Sequence, residues 1–146
     1  MNEQEQNKLF ETYQKNTHRL GRAASVLALL MLLGAPFLIG KFLGSMPDLS
    51  AAARGFLAVG VIWLVSSIAE FLVYTPMLGS GGGYLAFITG NLINMKIPCA
   101  VTARDMVGVK SGTKENEIIS TLSIATSSLV TILVLAIGVL ALTPLQ

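Results

Sequence analysis

Charged and reactive side chains are scarce in this sequence of 146 residues. Only 12% of its residues are charged, against about a quarter in soluble proteins. The single cysteine, Cys99, excludes an internal disulfide, and no Cys/His group has metal-ligand spacing. The ten Lys and Arg residues sit at the ends of apolar segments and form no basic stripe, which argues against nucleic-acid binding. A mean hydropathy of +0.68 instead predicts an integral membrane protein in a lipid bilayer.

Enzyme motifs are also missing. His18 is the only histidine, and no Gly-x-Ser-x-Gly or His-Glu-x-x-His pattern occurs. We therefore expect no enzyme activity and no cofactor, and we interpret His18 as an ordinary exposed or interfacial residue. The arrangement of the apolar segments carries the remaining information about fold and function.

The chain begins with a polar segment, residues 1–22, followed by an apolar run over residues 23–43. Leu9, Phe10, Tyr13 and Leu20 follow weakly helical spacing, which predicts an amphipathic cytoplasmic helix lying along the membrane surface. The apolar run has the length of a transmembrane helix and is interpreted as a retained anchor. The basic residues before it favour a cytoplasmic N-terminus, in a bacterial inner membrane.

A second span is predicted at about residues 51–75. Gly60, Ser67, Glu70 and Tyr74 recur at helical intervals and form a small, polar face. Glu70 is the only acid well inside an apolar stretch, and burial of an ionisable group in a membrane indicates function. The alternatives are that Glu70 reaches interfacial water or pairs with an arginine for structural reasons.

The segment at about 79–108 is apolar but interrupted by glycine and proline. From the glycines to Asn94 it has only about fifteen residues, which is short for one crossing. We therefore expect two half-helices: 84–92, a break at 94–97, and a second helix with Pro98 in its first turn. Broken backbone at membrane depth occurs where it is buried in protein or lines a wet cavity. A glycine run alone is weak evidence, because it also serves flexibility or close packing.

Polar residues in this segment suggest a binding site. Thr89, Gly90, Asn91 and Asn94 would contact a solute or sodium, and Lys96 would supply positive charge beside a helix start that favours anions. The alternative is a surface loop with an interfacial helix, in which Lys96 merely anchors at lipid headgroups.

The last span is predicted at about residues 117–142, and its first half is rich in hydroxyl groups. Ser120, Ser123 and Ser127 follow helical spacing and favour a helix-packing seam, as do Gly60 and Ser67 in the second span, over ligand contact. The predicted fold class is thus an all-α integral membrane protein. It has three transmembrane helices plus a broken, re-entrant glycine-rich helical hairpin, in a transmembrane domain of residues 23–146.

An odd number of crossings has a consequence for assembly, because a duplicated unit of this kind has two copies of opposite orientation. The chain resembles one repeat of an inverted-repeat, elevator-type secondary transporter. The resemblance lies in four elements taken together: a kinked first span, a second span with a polar face, a hairpin with Thr89, Gly90 and Asn91, and a last span lined with hydroxyl groups. The resemblance is architectural and names no family. It implies a partner, either a second identical chain in a homodimer or a paralogous membrane subunit, and the near-balanced net charge leaves either insertion open.

The leading hypothesis is a half-sized secondary transporter or permease subunit for a small polar, anionic solute. Glu70 would bind a coupling proton or sodium ion. The alternative is a non-transporting accessory subunit of a larger membrane complex, whose glycines and serines serve only packing.

Overall fold

The computed structural model describes residues 2–142, and this part of the chain is helical, with no strand. The elements are α1 (Glu3–Leu43), α2 (Leu49–Thr89), a π-helical turn (Leu92–Lys96), α3 (Ile97–Val107) and α4 (Lys114–Leu142). The predicted all-helical class is confirmed.

Three of these helices are long and apolar enough to cross a membrane: α1 with 41 residues, α2 with 41 and α4 with 29. A bilayer core about 30 Å thick needs about 20 apolar residues. The prediction of three candidate spans in an integral membrane protein is therefore confirmed. α1 and α2 are about twice the necessary length. The additional residues form a polar N-terminal extension in α1 and a returning arm in α2.

α2 reverses direction at Gly79. The backbone of Gly79 has φ 73° and ψ 179°, which is not helical. The rings of Phe71 and Phe87 lie 6.0 Å apart, although residues separated by 16 positions in a straight helix would be about 24 Å apart. The element therefore consists of two arms, residues 49–78 and residues 80–89, which fold back on each other.

A second reversal follows at Gly90 and Asn91, whose φ angles are 69° and 53°. Lys96 after this turn donates a hydrogen bond to Ser128 of α4, and Thr89 Oγ1 before it lies 3.2 Å from the same hydroxyl. The predicted break at 94–97 therefore lies earlier, and residues 92–96 form the π-helical turn that leads into α3. Pro98 occupies the first turn of α3, where a missing N–H costs no hydrogen bond.

Residues 80–107 thus form a helical hairpin, called the hairpin below. Its first arm runs along α4, with Ser80 bonded to Glu117 and Thr89 beside Ser128, and α3 returns along the same helix. The arms span about 15 Å and 16 Å, so neither is long enough to cross a membrane. The buried glycines allow close packing, since a Cβ on Gly82 would lie 3.2 Å from Ile124 Cδ1.

α4 presents a buried stripe toward the hairpin. The stripe follows an interval of four residues, which places its members on one helix face, and consists of Asn116, Ser120, Ile124 and Ser128. Of the predicted seam residues, Ser120 lies on this stripe, whereas Ser123 and Ser127 line a groove between α4 and α3. In α2, Ser67 is exposed, and a Cβ on Gly60 would first meet Phe56 of the same helix. Packing roles for Gly60 and Ser67 therefore stay predictions.

The polar N-terminal segment is continuous with the first span in α1, with no break at residue 22. Tyr13 donates a hydrogen bond from its hydroxyl to Thr121 Oγ1 over 3.0 Å, and Lys114 Nζ donates to Asn7 Oδ1. The segment expected to lie along the membrane surface therefore extends the axis of the span and packs beside the start of α4.

The core is small and lies around the hairpin. Its buried apolar members are Leu78, Ala86, Ala100 and Ile124. Large apolar side chains elsewhere on the three long helices are exposed, including Leu32, Ile62 and Leu140. Surface of this kind requires lipid or another apolar chain around it.

Candidate functional site

The tip of the hairpin gathers four of the residues predicted from the sequence. Glu70 of α2 lies with Gly90, Asn91 and Asn94 around an open pocket of 340 Å³, whose other walls are apolar. Glu70 is half-buried, and the two asparagines are exposed. The reversal at Gly79 brings these residues together, because residues 80–89 run back alongside the last third of the preceding arm, where Phe87 faces Phe71.

The backbone at the tip selects its residue types. Gly90 and Asn91 both have positive φ, a region that glycine enters freely and asparagine tolerates better than most residues. Asn91 Nδ2 contacts Met95 Sδ at 3.5 Å, and Thr131 Oγ1 contacts the same sulfur at 3.4 Å. The tip is thus held against the middle of α4.

Lys96 lies on the other side of the tip and is buried. Its side chain is 1% exposed, and Nζ donates to Ser128 Oγ over 2.7 Å. Ser128 donates its own hydroxyl hydrogen to the Ile124 carbonyl over 2.7 Å, so it serves Lys96 as an acceptor. Thr89 Oγ1 lies 3.2 Å from the same oxygen. The three side chains form one polar cluster between the hairpin and α4.

This lysine has no counter-ion within the described part of the chain. The only ion pair between residues 2 and 142 joins Arg104 to Asp105 at 3.2 Å. An ammonium has three N–H donors, and Ser128 Oγ is the one acceptor of Lys96 Nζ within residues 2–142. Burying an uncompensated charge is costly. Two N–H donors of the Lys96 ammonium therefore remain for an anionic ligand.

A pair of adjacent side chains on α4, missed by the sequence analysis, holds the reversal at Gly79. Asn116, 1% exposed, donates from Nδ2 to the Met77 carbonyl over 3.0 Å. Glu117 accepts hydrogen bonds from the backbone N–H of Ser80 at 3.2 Å and from its hydroxyl. One side chain thus satisfies the end of the first arm and the other caps the start of the second.

A second cavity, of 390 Å³, lies between α1 and the two arms of α2. His18 Nδ1 is 3.2 Å from Tyr84 Oη, so this histidine is half-buried and partnered. Thr75, which also lines the cavity, has a buried hydroxyl without a hydrogen-bond partner among the described residues. Only the long-range contact with Tyr84 distinguishes His18 from an ordinary interfacial residue.

The predicted site residues therefore divide into two groups. Glu70, Gly90, Asn91 and Asn94 surround the open pocket, while Thr89 and Lys96 meet at Ser128. No protein family, curated protein or solved structure matches the chain. Fold and composition define its class as a helical integral membrane protein.

Proposed function

We propose that this chain is a half-sized secondary transporter or permease subunit for a small polar, anionic solute. The observation that carries the proposal is the buried Lys96 at the tip of the hairpin, held by Ser128 without a carboxylate partner in the described chain. Burying a charge in this way costs free energy, so an ionisable group inside a membrane is a candidate functional residue.

The proposal takes the hairpin as a re-entrant element of the membrane domain. Its tip contacts Ser128 and Thr131, near the middle of the 29-residue α4, and its two arms are too short to cross. The hairpin would then enter from the cytoplasmic side, where the basic N-terminal segment places the N-terminus. Three crossings make the chain one half of an inverted-repeat carrier of a bacterial inner membrane.

Roles follow from the two groups at the tip. The cluster of Lys96, Ser128 and Thr89 would hold the anionic group of the solute. The open pocket offers a carboxylate and two amides, which suits a coupling sodium ion or proton at Glu70, with Asn91 and Asn94 completing the shell. Because the Glu70 pocket and the Lys96 cluster both lie at the hairpin tip, a movement of the tip would affect ion binding and solute binding together.

The experiment is uptake of radiolabelled acetate and succinate by native membrane vesicles, with imposed sodium or proton gradients. Lys96→Met should abolish gradient-driven uptake, while Lys110→Met, which removes a lysine from an exposed connection, should leave it unchanged. Equal uptake by wild type and Lys96→Met for both probes would contradict the proposal.

The second candidate is an accessory subunit that packs into a larger complex and moves nothing. It is favoured by the extensive exposed apolar surface of the three long helices. In that case Asn91→Ala would leave the activity of the complex intact. Gly82→Leu would disrupt the packing of the hairpin against Ile124 within this chain and would lose the complex as a consequence. Loss of activity in Asn91→Ala with the complex preserved decides for the transporter.

A further inference from the structure

The two ends of the molecule differ sharply in basic charge. Asn7 and Phe10 of α1 contact Lys114 at the start of α4, so the N-terminal segment and the connection 108–113 lie at one end, called the basic end. The connection 44–48 between α1 and α2 lies at the other, called the loop end. The basic end carries Lys8, Lys15, Arg19, Arg22, Arg104, Lys110 and Lys114.

The loop end carries only Lys41 and Arg54, and Lys96 lies at the hairpin tip. The net charge of the chain does not reveal this difference in basic residues between the two ends. Most of the acidic residues, including Glu3, Asp105 and Glu115, also lie at the basic end and reduce the net charge of the chain to +2. Insertion follows Lys and Arg, however, and acidic residues contribute little to it. The distribution of Lys and Arg therefore favours one insertion, with the basic end in the cytoplasm, although the net charge is nearly balanced.

The tip of the hairpin leaves polar groups uncovered. Asn91 and Asn94 are exposed and Glu70 is half-buried, at the depth of Ser128 in the middle of α4. Hydrocarbon cannot satisfy amide or carboxyl groups at this depth. Within a membrane, the surface defined by Glu70, Asn91 and Asn94 must therefore face polar groups of a partner protein or a wet cavity that a partner closes off from lipid.

We infer that this partner is a different membrane chain, inserted with the opposite orientation, whose own helices cover the surface of Glu70, Asn91 and Asn94. The inference rests on the proposed function, because an inverted-repeat carrier needs a second half of opposite topology. A second copy of this chain cannot supply that half, since its basic end holds every copy in the same orientation. The partner is recognised by its charge: its Lys and Arg residues concentrate at the end that lies beside the loop end of this chain.

Orientation is tested first, on the full chain in cells, with N-terminal reporters active either only in the cytoplasm or only outside it. We expect at least a roughly tenfold excess of the cytoplasmic signal, given the bias in basic residues. The control replaces Lys8, Lys15 and Arg19 by Gln and adds three lysines to the connection 44–48. This variant should report on both sides. Comparable signals from the unmodified chain on both sides would overturn the inference.

Partner identity is tested by cross-linking in native membranes with Asn94→Cys in a Cys99→Ala background. The expected adduct joins residue 94 to a different helical membrane polypeptide with the opposite Lys/Arg distribution. The cysteine carries a maleimide–benzophenone, which needs no thiol on the partner. An adduct of two copies through residue 94, a partner with the same distribution, or no adduct after photolysis would each overturn the inference. Met46→Cys, at the loop end, reports background cross-linking.

The two proposals fail separately. Absence of acetate or succinate uptake in the presence of a cross-linked, oppositely inserted partner would remove the transport proposal and leave the hetero-oligomer standing. Lys96-dependent uptake together with a cross-link between two identical copies would do the reverse.

Discussion

At the scale of single residues, Lys96 is the most informative side chain of the molecule. It is nearly inaccessible, and its ammonium is held by a hydroxyl that is itself bonded to a backbone carbonyl. An exposed lysine anchoring at headgroups, the alternative considered from the sequence, would keep its charge in contact with water. Burial of this charged side chain beside Ser128 instead lowers the stability of the fold, which indicates that Lys96 has a function.

A double-mutant cycle tests that cost. Ser128→Ala should destabilise the protein by about 1–3 kcal/mol, because it leaves a buried donor without its acceptor. Lys96→Met should be neutral or stabilising by about 1 kcal/mol or more, since an apolar side chain of similar length removes a buried charge. In the Lys96→Met background, Ser128→Ala should then cost much less. Unfolding in detergent followed by circular dichroism measures each value, and equal costs in both backgrounds would contradict the expected coupling.

Asp48 gives a prediction about pH at the start of α2. Hydrogen bonds from the Ser50 side chain and backbone lower the pKa of Asp48, with Ser50 N 2.8 Å from Asp48 Oδ1. A carboxyl with a lowered pKa in the folded state contributes stability above its unfolded pKa and loses that contribution as the pH falls through the folded value. Asp48→Ala should therefore lower the thermal midpoint at pH 7, and the difference from wild type should shrink below about pH 4.

Asp48→Asn is the matched control, because asparagine also caps helices but does not titrate in this range. Its difference from Asp48→Ala should be the same at both pH values. A wild-type advantage that persists undiminished at low pH would show that the carboxylate is not the source.

Residue types at the tip could be read from the sequence, but their partners could not. Glu70, Asn91 and Asn94 stand out because they are polar within apolar segments, and they do share one pocket. Ser128 carries no such signal, since it is one of several hydroxyl residues on α4. Its role depends on Lys96, 32 positions earlier in the chain, and no local pattern encodes that contact.

At the scale of elements, the reversal at Gly79 determines everything that follows it. Without this turn, α2 would continue as one long helix and the hairpin would not exist. The turn needs a residue that accepts φ 73°, and a Cβ there would collide with the side chain of Glu117. Glycine alone meets both conditions. Asn116 and Glu117 then satisfy the polar backbone groups that the break leaves free.

Removing the cap should open this turn. We expect Glu117→Ala to destabilise the protein by about 1–2 kcal/mol, as loss of a helix cap does, because the N–H of Ser80 loses its acceptor. Glu117→Gln keeps an amide oxygen there and should cost less. Glu115→Ala removes an exposed acid two positions earlier and should change stability by less than about 0.5 kcal/mol. Detergent unfolding midpoints rank the three variants, and equal effects of Glu115→Ala and Glu117→Ala would refute the capping role.

Element types were easier to predict than their faces and turning points. The sequence predicted the short helices of the hairpin, but it placed the break at 94–97, guided by Pro98, while the chain turns at Gly90 and Asn91. Four glycines between 79 and 83 offer several turning points, and which one reverses is decided by its fit to Glu117. On α4, hydroxyl groups occupy more than one face, so periodicity did not single out the stripe that ends at Ser128.

At the scale of the whole molecule, packing is confined to one half. The hairpin, the end of the first arm of α2 and the first half of α4 form the core, whereas the helices near the loop end expose apolar side chains such as Leu32, Ile62 and Leu140. A single copy therefore contains a folded site and a large surface that depends on lipid or a partner. The proposed half-carrier would cover part of this surface with its second chain.

Sidedness provides the prediction that tests this arrangement as a whole. If the hairpin turns back within the membrane, Lys110 lies on the same side as Gln6, and Met46 lies on the opposite side, because α1 crosses between them. Single cysteines at positions 6, 46 and 110 in a Cys99→Ala background should then react with an impermeant maleimide in two sets. Position 46 is labelled in intact cells, and positions 6 and 110 only after permeabilisation. A hairpin that crossed fully would place position 110 with position 46. That result would separate the N-terminal segment from Lys114, whose contacts with Asn7 and Phe10 require both to be on one side.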